Sequence, residues 1–184
     1  MIRLQYLLLL PLLLILFTPG CTTIYGAAVD ERNVETIASD HKIKANILKA
    51  FSDDKTVGVL DFSVSSYEGH VFLIGEYETQ TQKNLAIQIA RNQQGVNNLT
   101  HYMIADKDVP FCGTSANLRL TAEVTALLIG DKQIKSTNID VKTMQCITVL
   151  WGLVGSSTEA QRAVRHAKSV DGIEKVVSFI KVKK

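Results

Sequence analysis

Apolar residues recur along this chain in two rhythms, and the order of the rhythms is the same in each half. Ile43, Ile47, Ala50 and Phe51 fall at helical spacing, with Asp40 placed to cap the helix that they predict. Phe62 and Val64 then alternate with polar residues. After the turn signal Tyr67-Glu68-Gly69-His70, so do Val71, Leu73, Gly75 and Tyr77, which predicts a hairpin with one buried face. Leu85, Ala86, Ile89 and Ala90 mark a second amphipathic helix that Gly95 would end, and a strand follows over about Asn98–Ile104. The second half repeats the order. Helices are expected near Asn117–Ile129 and Ser157–Ser169, and strands near Thr137–Thr143, Ile147–Val154 and Lys175–Val182.

Sliding the chain by 77 residues superimposes the halves without a gap. Ile43 meets Leu120, Ile47 meets Val124 and Phe51 meets Leu128. Leu73-Ile74-Gly75 meets Leu150-Trp151-Gly152, Gly95-Val96 meets Gly172-Ile173, and Tyr102 meets Phe179. A register that matches apolar to apolar and glycine to glycine over about 65 residues marks an internal repeat. The fold class is therefore α+β: two tandem two-layer αββαβ modules, each a three-stranded sheet with two helices on one face. The modules should occupy residues 39–104 and 117–184, joined by a polar linker over 105–116 that carries Pro110 and Gly113. Each is near the lower size limit for a self-sufficient core. The two are expected to pack on each other, or to be helped by a disulfide.

The N-terminus reads as a targeting signal. Arg3 is its one charge, the apolar run Leu7–Phe17 is shorter than a membrane span needs, and Thr18-Pro19-Gly20 leads into Cys21. A small residue and a cysteine directly after an apolar core resemble a bacterial lipobox, although Thr18 stands where such signals usually have leucine. Residues 1–20 would be the signal peptide, Cys21 the lipidation site and 21–38 a tether; the alternative is an ordinary secretory signal with an incidental cysteine. Thr22, not being aspartate, resembles the address of an outer-membrane lipoprotein. Cys112 and Cys146 then remain in an oxidising compartment, either as a disulfide, which is expected, or as two unrelated thiols.

Val71-Phe-Leu-Ile-Gly75 with Gly95-Val96, and its second copy Leu150-Trp-Gly152 with Gly172-Ile173, is similar to the signature of the BON domain. Two such domains after a lipoprotein signal resemble the dual-BON outer-membrane lipoproteins. That resemblance implies a non-catalytic, phospholipid-binding role in maintaining the envelope, with the protein lipid-anchored at the outer membrane and facing the periplasm. In those relatives the first helix of the second domain commonly opens with aspartate and tryptophan and supports membrane contact. Here the run is Asn117-Leu118-Arg119-Leu120-Thr121-Ala122-Glu123, so Arg119 stands in place of the aromatic.

Charge separates the two copies. Residues 30–109 hold twelve acidic and eight basic side chains, a net of −4, whereas residues 117–184 hold six and eleven, a net of +5. The basic copy would be drawn to anionic phospholipid, at about 1 kcal/mol for each basic residue near the surface. Arg162, Arg165 and Lys168 share one face of the last helix and, with Arg119, are the candidate lipid-binding residues. Trp151 lies on a strand, where it reads as packing or sheet surface. No metal-ligand spacing, phosphate loop or nucleophile elbow occurs, so no cofactor, no catalysis, no nucleic acid and no small-molecule substrate is expected. The alternative is a protein-interaction module that engages outer-membrane assembly or secretion machinery. Cys21→Ala should lose incorporation of a palmitate analogue and leave the membrane fraction or persist as a precursor; labelling equal to wild type would exclude lipidation at Cys21.

Overall fold

The computed structural model describes residues 32–59, 61–107, 109 and 111–183. The expected signal segment, Cys21 and the start of the expected tether lie outside the described residues. Arg32–Lys184 form one compact unit. Its first half runs α1 (Val34–Asp53), β1 (Phe62–Tyr67), β2 (His70–Tyr77), α2 (Gln80–Arg91) and β3 (Asn98–Ala105). The second repeats this as α3 (Thr114–Gly130), β4 (Ile139–Met144), β5 (Ile147–Val154), α4 (Ser157–Lys168) and β6 (Lys175–Val182). Each half is a three-stranded sheet with the middle strand antiparallel to the first and parallel to the third, in the orders β1-β2-β3 and β4-β5-β6. The αββαβ modules read from the hydrophobic rhythm are therefore present, with both helices of each against one sheet face.

Alternation along the central strands fixes three cores. Val71 and Leu73 of β2 point to α1 and α2, where they meet Ile43, Ile47, Phe51, Ala86 and Ala90. Leu150 and Val154 of β5 likewise meet Leu120, Val124, Leu128, Ala163 and Ala167. The opposite faces of the two sheets, Phe72 and Ile74 on one and Val149 and Trp151 on the other, form a third core with Tyr67 and Met144. At roughly 1.5–3 kcal/mol for each large apolar side chain removed from water, the third core supplies what two small modules lack separately. The hairpins thus bury both faces, not one as the alternation suggested. Val71-Phe-Leu-Ile74 is a continuous apolar run, the pattern of a strand covered on both sides.

The modules meet through matching surfaces. The rings of Tyr102 and Phe179, counterparts in the repeat, lie 6.0 Å apart, which places both beside an approximate two-fold axis. The hairpin turns obey the same symmetry: Gln145 Nε2 donates to Ala105 O at 2.7 Å, while Glu68, the counterpart of Gln145, lies 3.7 Å from Lys183. Polar groups are woven into the junction. Asp140 accepts from Ser65 Oγ (2.5 Å) and Tyr67 Oη (2.9 Å), and Trp151 Nε1 donates to Ser65 Oγ (3.1 Å). Burial lowers the pKa of Lys142, a pull opposed by Asp61 and Glu76 from the other module.

Repeat-equivalent residues also hold each hairpin turn. Both turns have two residues of positive φ, Glu68-Gly69 and Gln145-Cys146, as type I′ hairpins require. Asp40 is not a helix cap: α1 starts earlier, capped by Asn33 Oδ1 on the Thr36 N–H (2.7 Å), and so takes up the last residues of the expected tether. Asp40, buried, instead accepts from the Glu68 and Gly69 N–H groups, Ser66 Oγ and Arg32. Its counterpart Asn117 accepts the Cys146 N–H at 3.1 Å. The motif glycines Gly75 and Gly152 sit where a Cβ would run into the backbone carbonyl of Asp61 and of Asn138 respectively, so the start of each hairpin presses against its own end.

Cys112 and Cys146 are joined as a disulfide, Cα–Cα 5.4 Å, 34 residues apart. It fastens the residues before α3 to the β4–β5 turn, at the place where the first module has Gly69. Closing a loop of this size constrains the unfolded chain by about 3–4 kcal/mol in the chain-entropy model. Reduction, or Cys112→Ser with Cys146→Ser, should lower the urea midpoint by a corresponding amount. Intact mass of the oxidised protein should be short of two hydrogens, and two alkylatable thiols without reductant would contradict this.

Candidate functional site: the helix layer of the second module

α3 and α4 lie side by side on the outer face of the second sheet. Asp131, just past α3, receives Arg162 Nε and Nη2 at 2.9 and 2.7 Å on one carboxylate oxygen, and His166 Nε2 at 2.8 Å on the same oxygen. Arg162, expected among the lipid-facing cations, thus also ties the two helices together while its side chain stays about a third exposed. Arg119 pairs with Glu123 one turn on, at 2.5 Å, with both side chains about half exposed. Such an exposed pair is worth little to stability, so the Arg119 charge remains near the surface. Arg165 and Lys168 are exposed and face solvent.

The outward stripe of α3 was missed by reasoning from charge. Leu118, Ala122, Ala126 and Ile129 recur at helical spacing on the side away from the core, and Leu118 and Ile129 are 66% and 67% exposed. Phe111, just before the helix, is 98% exposed. The counterparts on α1 are His41, Ala45, Lys49 and Ser52, a polar stripe on the same fold. The signal was available in the repeat alignment, since only the second copy puts leucine and isoleucine at those positions.

A polar cleft of about 180 Å³ lies at the module junction, lined by Arg32, Asp40, Lys44, Tyr67 and Asp140 among others. Both carboxylates are engaged by protein donors, as given above, and every buried side-chain polar atom among the described residues has a partner. No group of three or more histidine, cysteine or acidic residues able to hold a metal ion occurs among the described residues. No helix among them is long and apolar enough to cross a membrane. Large apolar side chains in water are the least explained feature of this surface.

The His166 hydrogen bond, then the Gln133 N–H and Arg162, bring the Asp131 carboxyl down from 3.8 to about 2. A depressed carboxylate contributes stability above its unfolded pKa and loses it as pH falls through the folded one. The α3–α4 tie should therefore hold above about pH 4 and fail towards pH 2. Asp131→Asn should flatten the acid-unfolding profile in that window. A profile parallel to wild type between pH 4 and 2 would show that the tie adds nothing.

Against known proteins, the BON domain family profile matches residues 39–104 and 117–184. The chain is 29% identical over 162 residues to the osmotically-inducible protein Y of Escherichia coli K12, covering 86% of this chain and 81% of that protein. It is 26% identical over 175 residues to the outer membrane lipoprotein DolP of Haemophilus influenzae, covering 90% of each. Among solved structures, CdsD, a structural protein of the type III secretion system of Chlamydia trachomatis, aligns at 16% identity with a TM-score of 0.33, over 78% of this chain and 63% of that one. Two matched domains that together make up most of the chain, each with the αββαβ fold, establish that this protein belongs to the BON domain family.

Proposed function

We propose that this chain is a non-catalytic lipoprotein of the bacterial envelope, anchored through Cys21 in the outer membrane and facing the periplasm. Its second BON module docks on anionic phospholipid and so supports outer-membrane integrity. The observation that carries the reading is the contrast between the two first helices: a shared fold presents Leu118, Ala122, Ala126 and Ile129 on α3 but His41, Ala45, Lys49 and Ser52 on α1. Kinship with an outer membrane lipoprotein over nearly the whole chain supports the location. Arg119, Arg165 and Lys168 supply attraction to anionic headgroups, and the exposed leucine and isoleucine supply apolar contact at the headgroup–acyl boundary.

Both contributions leave a signature. Screening contracts from about 10 Å at 0.1 M salt to about 3 Å at 1 M, so the charge contribution fades while the apolar one stays. Residues 32–184, which contain all three cores, should co-sediment with vesicles containing phosphatidylglycerol and only partly release at high salt. Leu118→Glu with Ile129→Glu should weaken binding at least about tenfold, given the cost of losing two apolar contacts. Arg165→Glu with Lys168→Glu should weaken it at low salt alone, and Lys49→Glu in the first module should change little. Equal binding by the Leu118/Ile129 variant and wild type would remove α3 from the membrane contact.

A further inference from the structure

β6 is an edge strand whose outer side pairs with no strand among the described residues. The Lys183 N–H donates to Val154 O across the parallel ladder. Alternation then turns the N–H groups of Val177, Phe179 and Lys181 to β5 and those of Val176, Ser178, Ile180 and Val182 outward. Consistent with this, the Ile180 N–H is met only by its neighbour Ser178 Oγ, at 3.4 Å. Beside this open edge runs a mainly apolar groove between α4 and β6, lined by Ala160, Gln161, Val164, Arg165 and Ser178.

The first module differs in the residues at this place. Ala160 and Ser178 correspond to Lys83 and His101. Lys83 Nζ lies 4.9 Å over the Tyr77 ring, and the His101 pKa is lowered by partial burial and then by the Lys83 charge, so two long polar side chains stand where the second module has alanine and serine. Charge differs as well. β3 carries no charged residue, whereas β6 carries Lys175 and Lys181, no acidic one, and Arg165 across the groove. Lysines on an edge repel a second copy of the same strand, which disfavours self-pairing.

We propose that the outer edge of β6 is a docking site for an extended acidic segment of a partner protein, which adds to the sheet as a further strand. Period-two alternation divides the incoming side chains between the two sheet faces. Those on the face of Val176, Ser178 and Ile180 enter the groove against Ala160 and Val164 and are apolar. Those on the face of Lys175 and Lys181 are glutamate or aspartate. Main-chain hydrogen bonds supply affinity, and the groove and lysines supply selection. The site lies on β6 and α4, not on the outer stripe of α3, and does not depend on the lipid reading.

The test is titration of labelled residues 32–184 with a blocked peptide of alternating valine and glutamate long enough to span β6, followed by NMR and amide exchange. Saturable shifts on β6 and α4 are expected, with slowed exchange at Val176, Ile180 and Val182. Ala160→Lys, which installs the residue of the first module, should weaken binding at least about tenfold. Ser178→Pro, which removes an outward N–H but no bond to β5, should abolish it while the vesicle binding above is retained. The proposal is overturned by no saturable shifts, by shifts that map elsewhere, or by equal binding of a valine–lysine peptide. Edge protection that depends on protein concentration without peptide would replace the partner by a second copy and overturn it too.

Discussion

Two three-stranded sheets, each with helices on one face, leave two apolar faces that water cannot be allowed to touch. Phe72, Ile74, Val149 and Trp151 occupy them, and everything else in the arrangement follows from placing them against one another. The helix layers are forced to the outside and the hairpin turns to the ends of the junction. A single module would expose its half of this core. Stability is therefore a property of the pair, and a change in one half is felt by the other through shared side chains.

Pairing also explains how two copies of one fold could diverge in use. Residues at the common junction are constrained from both sides, as Tyr102 and Phe179 are by each other. The outer helix faces carry no such constraint. There the first copy is polar along α1 and carries Lys83 and His101 beside its edge strand. The second has Ala160 and Ser178 beside β6 and an apolar stripe on α3.

Much of this was legible in the residues. The ungapped register made the topology unambiguous, because a shift that matches Gly75 to Gly152 and Phe51 to Leu128 carries the element order with it. β5 and β6 have the bounds that alternation gave them. Other features were hidden for identifiable reasons. Asp40 looks like a cap because aspartate before an apolar helical run usually is one, and its engagement with a turn 28 residues on has no local signature. The tie that Arg162 makes was also out of sight, because its partner, Asp131, belongs to another element. A net-charge count weighs Arg162 and Arg165 alike, and it is blind to Leu118 and Ile129, which carry no charge at all.

The covalent link between the modules has a thermodynamic consequence of its own. β3 ends at Ala105 and α3 starts at Thr114, so a short connection holds the two sheet faces within reach of each other permanently. A tether of this length sets an effective concentration on the order of millimolar, far above what a separate partner would reach in dilute solution. The contact therefore never has to be strong in the sense that a bimolecular complex must be. It can tolerate a half-buried lysine and an aspartate shared by serine and tyrosine, groups that a freely assembling dimer of the same size could ill sustain. Cutting the chain between 105 and 114 would convert an intramolecular equilibrium into one governed by dilution.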